Sequence, residues 1–495
     1  MKRKIIIYKP AGKRYNIVPR VRRTGADPLR YTEYARGEDT TESHYDKSSA
    51  FGGRERMKKV VKFGGSSLAS ADQFKKVGAI IHEDENRRFV VPSAPGKRFS
   101  SDTKVTDMLY ACYEAAVNDK DFSGQLADIK ARYQEIIDGL NLDCSLEKDF
   151  DVICENFQNK AGVDYAASRG EFLNGKIMSS YLGFEFVDAA EVVRFNDDGS
   201  FNAEATDELL SARLKDMDAA VVPGFYGARA DGTVVTFSRG GSDITGSLVA
   251  LAVHADLYEN WTDVSGFLIA DPRIVKNPKS IETITYKELR ELSYMGASVL
   301  HEDAIFPVRK VGIPINIRNT NAPEDKGTLI VESTCRQPKY TITGIAGTDG
   351  FASITIEKAM MNSEVGFCRK VLQVFEDNGV SIEHMPSGID TMTIFVNKNS
   401  FEEKEQKILS DIQRAVHPDH VELESDLALV AVVGRGMKST RGTAGRIFSA
   451  LAHAHINVKM IDQGSSELNI IVGVKHEDFK NAIRALYEIF VLTQI

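Results

Sequence analysis

The chain has 495 residues, 42% of them hydrophobic, and 62 lysines and arginines face 70 aspartates and glutamates for a net charge of −8. That length suits about three domains with ordinary cores, and the acidic balance argues against non-specific nucleic-acid binding, which needs basic surface to neutralise phosphates. Cys112, Cys144, Cys154, Cys335 and Cys368 are scattered, odd in number and free of any C-x-x-C spacing, so neither a disulfide framework nor a zinc site is indicated. Small metabolites are the expected partners. Met1-Lys2-Arg3-Lys4 before Ile5-Ile6-Ile7 mimics the start of a signal peptide, but the apolar run is far short of the roughly 7 to 15 residues of an h-region. No later segment has the length to span a bilayer, and a cytoplasmic protein without membrane contact is expected.

Residues 1–56 are rich in Arg, Lys, Tyr, Gly and Asp, with a basic excess and no sustained apolar periodicity. Three readings compete: a basic arm for RNA or an acidic partner, a disordered tail, and sequence ahead of a natural start at Met57. The last is favoured, because Met57-Lys58-Lys59 leads straight into the first strand. The intact mass of the native protein decides the matter, and a product beginning at Met1 refutes the Met57 start.

From Lys58 onward short apolar strands alternate with helical patterns. Val60–Phe63 ends in Gly64-Gly65-Ser66-Ser67, where two glycines let backbone N–H groups approach an anion and Lys62 adds a point charge. The competing reading is an ordinary Gly-Gly turn with a solvated lysine; a Walker A loop is excluded because the lysine precedes the glycines. A helix over Ala71–Glu85 and a strand over Phe89–Val91 follow, a βαβ grammar that continues through Ala219–Val222, Thr233–Phe237 and a helix over Asp243–His254. It implies a largely parallel sheet covered by helices, with ligands at the carboxyl ends of the strands.

Further constellations fall on that edge. Ser93, in the turn Pro92-Ser93-Ala94-Pro95-Gly96, and Thr106, opening a helix, suit a substrate carboxylate, or serve only as turn and N-cap. Ser168-Arg169-Gly170-Glu171 starts another helix with an acid suited to an ammonium. Thr236 to Gly246 runs from strand through a loop to a helix start that attracts anions, with Arg239 able to grip a carboxylate bidentately and Ser242 and Asp243 near the reacting group. Trp261-Thr262-Asp263-Val264-Ser265-Gly266 and Asp271-Pro272-Arg273 offer hydroxyl, acid and arginine for ribose and phosphates. Beyond about Arg336 a βαββαβ order appears and recurs, first over Gly344–Ala415 and again over Leu427–Ile489.

In this order and spacing, K-F-G-G-S-S, S-R-G-E, G-F-Y-G, S-R-G-G-S-D and W-T-D-V-S-G…D-P-R resemble the aspartokinases of the amino acid kinase superfamily, from about Lys58 to the C-terminus. The resemblance implies an α/β chain: a three-layer α/β/α, carbamate kinase-like domain over 57–335, then two ferredoxin-like ACT domains over 340–420 and 425–495. It implies transfer of the γ-phosphoryl of ATP, with Mg2+, to the β-carboxylate of L-aspartate, the entry to lysine, diaminopimelate, threonine and methionine. A carboxylate nucleophile needs no general base, so catalysis rests on positioning and charge. By resemblance, Lys62 stabilises the transferring phosphoryl, with Gly64 and Gly65 giving close backbone approach and Ser66 a hydroxyl. Arg239 clamps the aspartate α-carboxylate, Glu171 lies near its ammonium, Ser93, Thr106 and Ser242 lie near the aspartate, Asp243 orients the reacting centre, and Phe225 walls the pocket. Thr262, Asp263, Asp271 and Arg273 hold the nucleotide, and no dedicated metal site is expected. The insertion Lys97–Lys104, Leu268 in place of a tyrosine and Ser298 in place of a lysine depart from many relatives, and His301 is read as structural.

Paired ACT units imply an amino-acid sensor and a homodimer or higher oligomer, or a repeat that only dimerises. A lysine effector needs a carboxylate for its ammonium and donors at a helix start for its own carboxylate. Glu383, with Ser381 and Ile382, and Met361, Glu364, Phe367 and Cys368 are the residues expected around it. Lysine is the predicted inhibitor, with threonine, alone or jointly, the alternative. Two competing functions are a kinase of another acid such as glutamate, and a non-catalytic sensor with a decayed kinase domain. A fused homoserine dehydrogenase is not expected, because nothing follows the second repeat.

Overall fold

A computed structural model describes residues 57–238, 240–297, 300, 304–334 and 338–493. The basic segment 1–56, on which the reading of a Met57 start turns, lies outside the described residues, as do Arg239, Ser298, His301 and Cys335.

The first domain is built on an eight-stranded sheet in the order Glu185–Phe186, Ala220–Val221, Arg87–Pro92, Lys59–Phe63, Leu257–Thr262, Ile315–Asn319, Thr328–Val331 and Thr283–Thr285. All neighbours are parallel except Ile315–Asn319 with Thr328–Val331. Lys59–Phe63 is central, and its three apolar residues Val60, Val61 and Phe63 are wholly buried, as a strand covered on both faces requires. Its alternation sorts the layers: Val60 joins the core with Leu248 and Val249 on one face, while Val61 and Phe63 join Phe74, Leu109 and Ile177 on the other. Helices therefore cover both faces. Ser70 caps the helix Ala71–Glu83 by accepting from Gln73 N–H.

Two local expectations are corrected. Val234–Thr236 lies off the main sheet, paired antiparallel with Tyr226–Ala228; the run is too short for its periodicity to tell a hairpin from a sheet strand. Ser168–Glu171 sits inside the 20-residue helix Val163–Leu182, which begins five residues earlier, after Gly162 at φ +115°.

The C-terminal part is one six-stranded antiparallel sheet in the order Ile382–His384, Thr391–Asn397, Gly344–Glu357, His420–Val433, Asn469–Lys475 and Met460–Asp462. Its two central strands, 14 residues each, serve both repeats. The stretch 344–349 pairs with 428–433 and supplies the outer strand of the second unit, whereas 351–357 belongs to the first. The register breaks where one half passes into the other, at Gly350, whose φ is +87°. The repeats are thus interleaved: read linearly, the second one is a strand short, and residues ahead of the first provide it. Their cores differ too. Val430, Val432, Val472 and Ile483 share one continuous apolar core with Leu289 and Leu292 of the first domain, while Ile354, Phe367, Phe375 and Ile408 form a separate core in the first unit.

Candidate active site

Strand order brings the loop after Phe63 against the carboxyl ends of its two neighbours. Ser93 N–H donates to Phe63 O at 3.1 Å, Gly64 N–H to Trp261 O at 2.9 Å, and Gly96 N–H to Gly65 O at 2.8 Å. A Cβ on Gly65 would stand 2.8 Å from Ala94 O and 3.2 Å from Gly96 N, so this residue must be glycine for the two loops to touch. A Cβ on Gly64 would meet only ordinary contacts, the nearest being Trp261 O at 3.6 Å and Lys62 Nζ at 3.7 Å. Ser67 is pinned to Thr320 at 2.8 Å, and Ser66 lies half-buried in the same single turn, Gly65–Leu68.

Lys62, at the end of the central strand, pairs with Asp243 at 2.5 Å, both side chains largely buried. Asp243 comes from the first turn of the helix Gly241–Ala252, entered through Gly240 in the left-handed region at φ 57°. The same Asp243 oxygen accepts from Asn260 Nδ2 at 2.8 Å. Ser242 abuts Gly224, where a Cβ would come within 2.6 Å of it, and Gly241 abuts Phe225 in the same way. Phe225 has φ +82°, held by its N–H donating to Thr245 Oγ1 at 3.1 Å, a strained backbone of the kind that clusters at functional sites.

On the other side of Lys62 stands Glu171, 6% exposed. Burial pushes its carboxyl up to about 8, against the opposing pull of the Ala94 N–H and the Lys62 ammonium. One of its oxygens, Oε2, has no hydrogen-bond partner among the described residues. One turn along the same helix, Asn174 donates to Ser93 O at 2.6 Å, and its own Oδ1 is likewise buried and unpartnered. Gly170 lets Ala94 and Thr106 close over this helix, since a Cβ there would lie 2.8 Å from Ala94 Cβ and 3.8 Å from Thr106 Oγ1. The insertion does not separate Ser93 from Thr106: Val105 N–H donates to Pro95 O at 3.2 Å, and Arg132 ties the excursion back through Asp102 at 2.6 Å and Gly96 O at 2.8 Å.

Lys62, Gly64, Gly65, Ser93, Thr106, Glu171, Phe225, Ser242 and Asp243 therefore form one connected cluster. Thr262 and Asp263 end the strand beside that of Lys62, bonded to each other at 3.2 Å. Asp271 and Arg273 are bonded to each other at 2.6 Å, with Arg273 87% exposed. Arg239 lies outside the described residues. Asn174 and Asn260 are functional candidates that motif reading missed. Each is an amide almost wholly removed from solvent, and the polar pair Glu259-Asn260 between Tyr258 and Trp261 was the available signal for the second. No cluster of three or more His, Cys, Asp or Glu side chains suited to a metal ion occurs among the described residues.

In the first regulatory unit, Met361 and Phe367 are buried in its core, Cys368 is exposed, Ser381 precedes the edge strand and Ile382 opens it. Glu364 is held by Lys358 at 2.6 Å and Lys370 at 2.7 Å, which draw its carboxyl down to about 2. Glu383 accepts a hydrogen bond from Tyr294 Oη at the end of the first-domain helix Tyr286–Tyr294. At the start of that helix, Glu288 is fully buried and accepts from Thr343 Oγ1 at 2.5 Å, Arg435 N–H at 2.8 Å and Arg435 Nη1 at 2.9 Å. Burial alone would raise the Glu288 carboxyl, but these bonds outweigh it and leave it below its ordinary value.

Residues 57–319 match the amino acid kinase family and residues 430–490 an ACT domain. The chain is 42% identical over 448 residues to aspartokinase 3 of Bacillus subtilis, spanning 87% of this chain and 98% of that protein. The crystal structure of Clostridium acetobutylicum aspartate kinase superposes with a TM-score of 0.83 at 53% identity, over 87% of this chain and 100% of that one. E. coli aspartokinase III, solved once with aspartate and ADP and once with lysine and aspartate, is 25% and 26% identical with a TM-score of 0.66 in each state, over 87% and 88% of this chain and 99% of each of those. With a kinase-family match over more than half its length and a close relative covered almost end to end, the chain belongs to the aspartokinases.

Proposed function

We propose that the protein transfers the γ-phosphoryl group of MgATP to the β-carboxylate of L-aspartate, releasing ADP and 4-phospho-L-aspartate. The observation that carries this is the buried Lys62–Asp243 pair on a glycine loop, set beside two unpartnered buried acceptors, Glu171 Oε2 and Asn174 Oδ1. An ammonium donates to such acceptors; a phosphoryl group in flight needs the lysine. The β-carboxylate oxygen attacks the γ-phosphorus while the bond to the β-phosphate oxygen breaks, so no proton moves at the nucleophile. Lys62 balances charge on the transferring oxygens, and Asp243, braced by Asn260, fixes where its ammonium sits. Glu171 and Asn174 take the substrate ammonium, Glu171 giving up its proton as they do so. Ser93, Thr106, Ser242 and Arg239 address the substrate carboxylates, Phe225 closes the wall, and Gly64, Gly65, Ser66, Thr262, Asp263, Asp271 and Arg273 serve the nucleotide. Mg2+ arrives with ATP.

The crystal form of E. coli aspartokinase III with lysine and aspartate supports lysine as the effector here, with Glu383 taking an ammonium on the first regulatory unit. Association through those units and a cytoplasmic location complete the assignment. The test is aspartyl hydroxamate formation from MgATP, L-aspartate and hydroxylamine, with and without lysine or threonine. Product that lysine suppresses is expected; no product with aspartate overturns the assignment, and inhibition by threonine alone overturns the effector.

A further inference from the structure

A cavity of about 310 Å3 lies where the edge strand Thr283–Thr285 of the kinase sheet faces the chain entering the regulatory sheet. It is separate from the Lys62 cluster and from the Glu383 region. Ile269, Ile281 and Ile342 give it an apolar lining, and Lys279 and Lys339 stand over the Tyr340 ring, each ammonium 5.7 Å from its centre. Neither lysine has an ion-pair partner among the described residues, and Glu282 is the one carboxylate in the lining. Tyr340 is 8% exposed and its hydroxyl is buried without a partner among the described residues. Arg435 also lines the cavity; Glu288 engages its Nη1, but its Nε–H is buried and unpaired.

Two orphaned buried donors and two unpaired ammonium groups around apolar walls call for an acceptor-rich anion that carries hydrocarbon. Phosphate would satisfy the donors and leave the isoleucines unused; a neutral apolar molecule would do the reverse. We propose that this cavity binds a small organic carboxylate, its head group on Tyr340 Oη, Arg435 Nε and the two lysines, its body on Ile269, Ile281 and Ile342. Arg435 and Thr343 also hold Glu288, so the ligand sits on the joint between the kinase domain and its sensor.

The test is calorimetric titration of the full chain with 4-methylpentanoate, inorganic phosphate and 4-methylpentan-1-ol, which needs no turnover and is independent of the phosphoryl-transfer assignment. Saturable binding of 4-methylpentanoate is expected, with phosphate and the alcohol at least about fivefold weaker. Binding weakens at least about fivefold in the double variant Lys279→Gln, Lys339→Gln and in Tyr340→Phe, and is unchanged in Lys276→Gln outside the cavity. The exposed lysines make the double variant safe for folding, so it decides the case if Tyr340→Phe misfolds. Absence of saturable 4-methylpentanoate binding, phosphate binding of equal strength, or binding undiminished in the double variant overturns the proposal.

Discussion

Replacing Glu171 with glutamine tests the electrostatics of the site at two levels. In the native chain burial lifts this carboxyl from an ordinary 4.5 to about 8, so between those values the folded state holds a proton that the unfolded state releases. At about 1.4 kcal/mol per pH unit, keeping the group charged in the fold costs about 5 kcal/mol. The sign follows: because the folded value is raised, its favourable contribution is complete below about 4.5 and is lost as pH rises through about 8. Glutamine mimics the neutral acid in shape and does not titrate. Urea unfolding at pH 5, 7 and 8.5 should therefore show the variant gaining stability relative to the native chain by several kcal/mol across that range. Parallel pH dependences would refute the burial argument.

The same proton governs substrate binding. If the ammonium of aspartate needs the charged carboxylate, the native KM for aspartate rises about 25-fold from pH 8.5 to pH 6.5, following one titration near 8. In Glu171→Gln that KM is high and flat over the range. A variant whose stability responds as expected but whose KM still tracks pH as in the native chain assigns Glu171 to packing alone and returns the ammonium to another group.

Lys62→Ala should keep its fold and lose at least about 10²-fold in turnover, since a preorganised charge aimed at the transferring group is removed; hydroxamate formation above a tenth of native would contradict the role. Gly65→Ala forces a methyl group to within 2.8 Å of Ala94 O, and backbone atoms on both sides leave no cheap relief, so turnover should fall about tenfold or more while Gly64→Ala is milder. Glu288→Ala leaves Arg435 without its buried partner and should cost about 3–5 kcal/mol of stability, read as a lowered Tm. Tyr294→Phe removes the hydrogen bond that competes for Glu383 and anchors the end of its helix, so lysine should inhibit at about threefold to tenfold lower concentration and turnover without lysine should already fall; an unaltered inhibition curve would place the effector elsewhere.

Local sequence carried the half of the candidate site that gathers around Lys62. Val60–Phe63 reads as a buried central strand because apolar residues occupy both its faces, and Gly64, Gly65 and Asp243 read as site residues because the loop and helix start that need them are contiguous in the chain. What depends on distant partners was not legible. Nothing within Gly344–Glu357 shows that its first half pairs with 428–433 and its second with 391–397; only the missing strand of the second repeat hints at it. Asn174 acquires a role from the distant carbonyl of Ser93, and Glu288, in an ordinary capping box with Thr285, becomes a domain joint through Arg435, 147 residues away.

That joint gives the sensor mechanical access to the reacting centre. The helix Tyr286–Tyr294 is tied near its start, through Glu288, to Thr343 and Arg435, and at its end, through Tyr294, to Glu383 of the first unit. Glu288 and Tyr294 are six positions apart, about 9 Å along the helix axis, so the two attachments hold a short rigid bar. One attachment belongs to the second unit, whose core is continuous with that of the kinase domain, and the other to the first unit, whose core is separate. A shift of the first unit therefore levers the helix about its Glu288 end. Separately, the Ala304 carbonyl accepts from Ser247 Oγ, and Ser247 lies one turn from Asp243 on the helix Gly241–Ala252. Asp243 is the partner of Lys62. On the proposed effector reading, an ammonium that takes Glu383 from Tyr294 would free one end of the bar, and a displacement of only a fraction of an ångström at Asp243 would spoil its 2.5 Å ion pair with Lys62. Because packed elements repack between discrete arrangements and do not deform smoothly, a coupling of about 1–3 kcal/mol is within reach of one hydrogen bond exchanged at Glu383.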